Sequence, residues 1–457
     1  QASGNISGSA TSTGSFGQLK VEGISISNND GGLNNTIFGY KAGSNFSANN
    51  GSNIIMGPNA ADAMDGTESH NIVIGLHAMG AADEGASGGI DFNIAIGNSS
   101  LGGGVLSGTT QLYGNIAIGY QALTSTGTNG QTGIVAIGFQ ALEKVTTGPG
   151  NLAIGGNAGK LLTTGQYNLA IGQNALTTAT ELDDNLAIGN GALRYASGSA
   201  GTGRNMAIGY LAGGAITSGE FNVMIGRSAN GQATTAGSNT VMGYFAGYNT
   251  RSGSSNVMIG TQAGYAYQNG VGSNTYVGAF SGYENRTGYG NTYLGASAGR
   301  GVAANSHTAN TGVGYNALND ITTGGSNVAI GYNSADAMTT GHNNVAIGLG
   351  AMGSSTNIGF AVAIGNEALN NGNATDASDS SVAVGNKALY ALVSGIGNVA
   401  VGGEALSAED DGDHNTAIGH HALKVQTGTS GTVANTAVGY KALDEILTGT
   451  HNVAVGA

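Results

Sequence analysis

A glycine returns along this chain at positions 39, 57, 75, 97, 119, 138 and onward to 456, 24 times in all, and the commonest step is 17 residues. These glycines close a short unit of the type Asn-x-Ala-Ile-Gly, with Asn opening 21 of the 24, often continued by x-x-Ala-Leu, as in Asn168-Leu169-Ala170-Ile171-Gly172-Gln173-Asn174-Ala175-Leu176. A period this short and persistent marks a stacked repeat, because one unit cannot bury an apolar face alone and must use its neighbours. Seventeen residues are too few for a helix pair, and the apolar residues before the glycine alternate as in a strand. The expected fold is therefore all-β: a parallel β-solenoid of 24 coils, about 17 residues each. A second short strand is expected in the Thr-Thr-Gly stretch, as at Thr163-Thr164-Gly165, Thr322-Thr323-Gly324 and Thr339-Thr340-Gly341. At the ~4.8 Å between paired strands, such a stack extends about 115 Å.

The repeat runs over residues 31–457. Residues 1–30 are a polar lead-in outside it and a possible joint between subunits, since open strand edges template further strands. Steps ending at Gly97, Gly119, Gly209, Gly385 and Gly439 exceed the bare coil by three to five residues. Their insertions, Ala81 to Phe92, Ser100 to Gly114, Tyr195 to Arg204, Asn370 to Ser380 and Lys424 to Ala434, are expected to bulge from one edge and to carry target recognition.

Composition removes several functions. The formal charge is −13 with no basic run, so neither phosphate backbones nor anionic lipid find a partner, and no nucleic-acid role is expected. Cysteine is absent, which removes disulfides, thiol nucleophiles and Cys-type zinc sites. No stretch approaches the ~18 apolar residues that span a bilayer, so this segment is not expected to insert in a membrane.

The columns of the repeat have mechanical readings. Asn151, Asn168, Asn327 and Asn344 stand where identical side chains stack into amide ladders between coils. Gly155, Gly172, Gly331 and Gly348 occupy a corner that needs positive φ or room for a neighbour. In Asn151-Leu152-Ala153-Ile154, Leu152 and Ile154 share one face and Ala153 takes the other, so both faces are apolar. A coil hides one face inside itself. The small row Ala153, Ala170, Ala329, Ala346 is then expected to meet other chains, as the interface of a homotrimer.

Asn344-Val345-Ala346-Ile347-Gly348 and Ser381-Val382-Ala383-Val384-Gly385 resemble the head repeat of trimeric autotransporter adhesins. The form with Thr-Thr-Gly before Asn also resembles repeats of phage tail fibres. The likeness covers residues 35 to 456. It implies a left-handed parallel β-roll, trimeric association and surface attachment, at the cell surface or in a virion fibre. The chain lacks a heptad stalk, an anchor barrel and a recognisable self-cleaving chaperone domain, and its coil is longer than the adhesin head's.

Few residues suggest chemistry. Tyrosine follows the repeat glycine at Tyr40, Tyr120, Tyr210, Tyr244, Tyr315, Tyr332 and Tyr440; Tyr120, Tyr210, Tyr315 and Tyr332 are candidate receptor contacts that could stack on sugars, against a plainer reading as packed edge residues. Acidic groups stand at Asp83-Glu84, Asp183-Asp184, Asp376 with Asp379, and Glu409 to Asp413. Within the last, Asp410, Asp411 and Asp413 offer oxygen to a cation but lack the spacing of known calcium loops. His420-His421 completes no ligand set, and no cofactor or nucleophile motif is present. The expectation is a non-enzymatic extracellular fibre or adhesin shaft whose partners are its own copies and a cell-surface glycan or protein receptor. A subunit of an end-to-end filament is the alternative, and a Thr-lined ice- or surface-binding solenoid is third.

Overall fold

The computed structural model describes residues 19–21, 24–27, 34–46, 51–83, 89–104, 106, 110–127, 129–199, 202–269, 272–302, 306–371, 380–427 and 431–457. The tips of the five insertions and most of the lead-in, with Glu84, Asp376 and Asp379, lie outside these residues. The chain divides into two compact units, up to Gly203 and from Arg204. Each is a parallel β-solenoid, and the described residues contain no helix and therefore none long and apolar enough to cross a membrane.

In the first unit nine three-residue strands, from Thr36–Phe38 to Leu186–Ile188, pair in parallel; in the second, fifteen run from Met206–Ile208 to Val453–Val455. The register is one repeat per coil: Leu152 pairs with Leu169, Ala153 with Ala170 and Ile154 with Ile171. At the start of the first unit the stack changes direction. Leu19–Val21 and Ile24–Ser27 form an antiparallel hairpin whose second strand runs antiparallel to Thr36–Phe38, with Ile26 opposite Phe38.

After each strand the chain turns through left-handed residues, as at Asn174 (φ 56°) and Leu176 (φ 51°). Their amides bond alternately backward and forward, Asn174 N–H to the carbonyl of Gly156 at 2.9 Å and Leu176 N–H to that of Ala192 at 2.9 Å. This alternation keeps the turn's backbone satisfied without a helix or a wider strand.

The Thr-Thr-Gly stretches are not strands. Thr163 and Thr164 both donate to the carbonyl of Thr180, at 2.7 and 3.2 Å, which bends the backbone out of the pleat. The threonine hydroxyls also bond to the next coil, Thr322 Oγ1 to Thr339 O at 2.9 Å and Thr339 Oγ1 to Thr356 O at 3.0 Å. A second sheet forms only locally, where Gly89–Asp91, Gln111–Tyr113 and Gln131–Thr132 pair, and where Gly412–Asp413 pairs with Gly431–Thr432.

The interior reverses the expected orientation of the strand. Ala153, Ala170, Ala329 and Ala346 are buried inside their own coils, with at most 2% of their surface exposed, while Leu152, Val328 and Val345 are half-buried and Ile154 and Ile330 are nearly 40% exposed. The alanines are therefore not the interface with other chains. The reason is volume: from the opposite wall the Ala and Leu after the glycine, such as Ala175 and Leu176, fill the lumen and leave room for a methyl group on the strand.

Where the strand residue is larger, the wall shrinks. Ile37, Val241, Met258, Tyr276 and Tyr293 point inward in coils whose residue four after the repeat glycine is Gly43, Gly247, Gly264, Gly282 and Gly299. A Cβ on Gly282 would lie 2.7 Å from Tyr276 Cε1, and one on Gly299 would lie within 2.4 Å of three ring carbons of Tyr293. In these coils the two walls trade volume across the lumen.

Candidate functional site

The Asn column holds the coils together. Asn168 donates from its backbone N–H (2.9 Å) and from Nδ2 (3.1 Å) to Asn151 Oδ1, and Nδ2 also donates across the lumen to the carbonyl of Leu182 at 2.7 Å. Asn327 and Asn344 repeat this, Asn327 on Asn310 and Gly341, Asn344 on Asn327 and Ile358. Each side chain is thus fully used in burial, and none is available to a ligand. Ile134 and Ala361 donate their N–H to the preceding Asn but offer no side-chain acceptor to the next coil, and at Ser381 the hydroxyl stands in, accepting from Asn398 N–H at 3.2 Å.

The repeat glycine is needed for close approach. Gly155 has φ 132°, and a Cβ there would lie 2.7 Å from the carbonyl of Gly172. Gly172, Gly331 and Gly348 are in the same state.

Acidic residues prove to be partly structural. Asp413 Oδ1 accepts from Ile396 N–H at 2.9 Å, Asp183 Oδ1 from Gln166 N–H at 2.8 Å, and Asp91 Oδ1 from both Ser69 N–H and Oγ at 2.8 Å. An Asp two residues before the ladder Asn therefore ties down the preceding coil, a role that spacing alone did not reveal. Oxygens of Glu409, Asp410 and Asp411 lie within 4.8 Å of one another, so the acidic grouping is this set and not Asp410, Asp411 and Asp413. Glu409 is fully buried as a brace, accepting from Gly412 N–H at 2.7 Å and from Gln426. Partial burial, with Asp410 and Glu409 beside it, pushes the Asp411 carboxyl up.

His420 and His421 lie ring against ring at 3.8 Å; His421 reaches Glu404 at 3.4 Å, and Lys424 also contacts that carboxylate. This is a half-buried charge network at the surface. The other distinctive histidine is interior: His307 is fully buried with Nδ1 2.8 Å from the Tyr293 hydroxyl, and burial pushes its imidazole down to about 3.

The tyrosines after the repeat glycine form an exposed edge. Tyr120, Tyr210, Tyr315 and Tyr332 are each about half exposed. Tyr315 stacks on Tyr332 at 5.3 Å, Tyr120 on Phe139 at 5.4 Å, and Arg227 lies over both Tyr210 and Tyr244. Packed ladder and accessible surface are both true of this column.

A second aromatic column went unnoticed in the sequence. Five residues after the repeat glycine, Tyr248, Tyr265 and Tyr283 stack at 5.6 and 5.1 Å with planes within 11° of parallel. Phe245 packs edge-on against Tyr248 and Tyr265, and Phe280 against Tyr283. The signal was there as tyrosine recurring with the coil period, at a different offset from the glycine.

No family model, curated protein or solved structure matches the chain.

Proposed function

We propose that this chain is a non-enzymatic extracellular attachment fibre, a homotrimer whose subunits lie side by side along their strands. The observation that carries the reading is the outer face of the sheet. Row upon row of Leu, Val and Ile, such as Val328 with Ile330, Val345 with Ile347 and Val362 with Ile364, is left half-exposed, while the alanines between them are buried. A three-residue strand is about 10 Å wide and each coil adds ~4.8 Å, so the nine coils of the first unit present roughly 400 Å² and the fifteen of the second roughly 700 Å². The latter is comparable with the ~800 Å² each partner contributes to a stable protein interface. A partner that covers such a face without gaps needs the same period, and a second copy has it.

The filament alternative needs open strand edges at the first and last coils, and at the first the antiparallel hairpin already pairs with Thr36–Phe38. An ice-binding face needs free hydroxyl rows, whereas the threonines are engaged between coils. The test compares two neighbouring substitutions by mass in solution and by thermal unfolding. Ile330→Lys is expected to leave each chain folded and to shift the trimer towards monomer, because a charge enters the covered face of every subunit. Ala329→Asp is expected to damage the coil itself. A wild-type chain that is monomeric at micromolar concentration, or an Ile330→Lys variant that assembles unchanged, would refute the proposal.

A further inference from the structure

Charge is unevenly spread along the repeat. Residues 204–300 contain five arginines and only two carboxylates, Glu220 and Glu284, a balance of +3 in a chain whose total is −13. The same segment holds nine of the 18 tyrosines and no lysine. It is the one basic and aromatic stretch of an acidic chain, hidden by chain-wide averages.

The fold gathers these residues into columns of the second unit. Directly after the repeat glycine come Tyr210, Arg227 and Tyr244, with the exposed Arg227 guanidinium 5.4 and 5.9 Å from the two rings. Five places after it come Tyr248, Tyr265, Tyr283 and then the exposed Arg300. Glu284 N–H, next to Tyr283, donates to Arg300 O at 2.8 Å, which sets Arg300 on the coil that follows the end of the ladder. Eight places after the glycine come Arg251, Gln268 and Arg286 on consecutive coils, linked by Arg251 N–H to Gln268 O at 2.9 Å and Gln268 N–H to Arg286 O at 2.8 Å. Among the described residues Arg227, Arg251, Arg286 and Arg300 form no ion pair.

We infer that this surface binds an extended acidic polysaccharide, one that carries carboxylates on its sugar rings. Guanidinium groups present paired donors that match carboxylates. The stacked tyrosines cover one another's faces, so they offer ring edges and hydroxyls to sugar hydroxyls. Phe280, turned across the ladder, and Tyr244, edge-on to Phe245, are exposed and offer apolar ring surface to sugar C–H groups.

Spacing selects a sparsely charged polymer. Arg251 and Arg286 stand two coils apart, about 10 Å, and the five arginines spread over about 30 Å. A nucleic-acid duplex carries a charge every ~1.7 Å along its axis and calls for a denser basic surface. The inference deepens the attachment reading by naming a ligand class, and relies on it only for biological use.

The experiment measures binding of the full chain to an oligogalacturonate by biolayer interferometry at low and physiological salt. The same oligosaccharide with every carboxyl methyl-esterified is the neutral control. We expect salt-sensitive binding to the acid and little to the ester. A triple variant, Arg251→Gln with Arg286→Gln and Arg300→Gln, is expected to lose roughly tenfold to a hundredfold in affinity. Lys387→Gln with Lys424→Gln and Lys441→Gln, which removes the same charge elsewhere, is expected to lose less than threefold or so. Thermal melts establish that both variants are folded.

Equal binding of acid and ester, equal loss in both variants, or no binding at all overturns the inference. So does tighter binding of single-stranded oligothymidylate at the same salt, which would reassign the surface to nucleic acid. Retention of the chain on cell surfaces is scored separately. Retention unchanged in the arginine variant overturns this site as the attachment site and leaves the attachment reading standing. A wild type that binds oligogalacturonate but is not retained on cells overturns the attachment reading and leaves the site.

Discussion

Tyr276 and Gly282 offer a direct test of whether the lumen has a fixed volume. Tyr276 is fully buried in the place where most coils carry Ala, and a Cβ on Gly282 would stand 2.7 Å from two of its ring carbons. Tyr276→Ala empties a ring-sized space and removes the stack on Tyr293, whose ring centroid is 5.6 Å away. The hydroxyl's donor, Asn285, keeps a second acceptor in the carbonyl of His307, so little polar cost is added. Truncation of a buried aromatic costs about 3–5 kcal/mol. Gly282→Leu alone drives a side chain into the ring and is expected to cost at least ~3 kcal/mol. The double variant rebuilds the Ala and Leu pairing of the ordinary coil, as in Ala170 with Leu176, whose left-handed backbone Leu already tolerates. It is expected to lose only about 2 kcal/mol, for the lost stack and a residual gap. The coupling of the two changes is then about 4 kcal/mol or more. Repeat proteins open locally, so hydrogen exchange over residues 256–302 is the assay, with thermal unfolding alongside. Additive costs, with the double variant the worst of the three, would refute the idea that the two walls share one volume.

Two further outcomes follow from the interior. His307 is held neutral, with its pKa lowered from 6.5 to about 3, so below pH 6.5 the unfolded chain takes up a proton that the folded chain refuses. Stability from this residue is whole above pH 6.5 and falls as pH drops, by roughly 2–3 kcal/mol at about pH 4.5; His307→Gln should flatten this acid limb in hydrogen exchange of residues 291–320, and parallel limbs would contradict it. Asn239→Leu leaves the Asn256 N–H, now bonded at 2.9 Å, and the Gly253 carbonyl, bonded at 2.9 Å, without partners. A loss of about 2–4 kcal/mol is expected, with Asn239→Ser losing less, as Ser381 allows; equal exchange rates in the two variants would count against the ladder.

The Asn ladder and the glycine corner were readable because identical residues at a fixed period must meet identical residues in the next coil. Alternation also showed correctly that Leu152 and Ile154 share a face, yet it is silent on which face turns inward. That choice belongs to the opposite wall, and the clue was the exchange of sizes between positions such as Tyr276 and Gly282. Thr-Thr-Gly read as a strand from β-branched composition, whereas shared acceptors such as Thr180 O impose a bend. The buried pair of Tyr293 and His307 carried no marker, because contact between them depends on how far a long coil reaches across its lumen. The Tyr248 ladder is legible in the same way as the Asn ladder, as tyrosine at the coil period five places after the glycine.

Insertions and substitutions give the repeat two separate ways of varying its surface. The step from Gly75 to Gly97 is 22 residues, yet Asn93 N–H still meets Asn71 Oδ1 at 3.0 Å. Across the 20-residue step from Gly419 to Gly439, Asn435 N–H meets Asn415 Oδ1 at the same 3.0 Å. The ladder therefore keeps its register across both longer steps. Between Gly209 and Gly295 the strategy is the opposite. No step there exceeds 18 residues, and the chemistry changes through Tyr and Arg placed in existing columns. A column repeats one contact at the coil spacing, and that suits a ligand which is itself a repeating polymer.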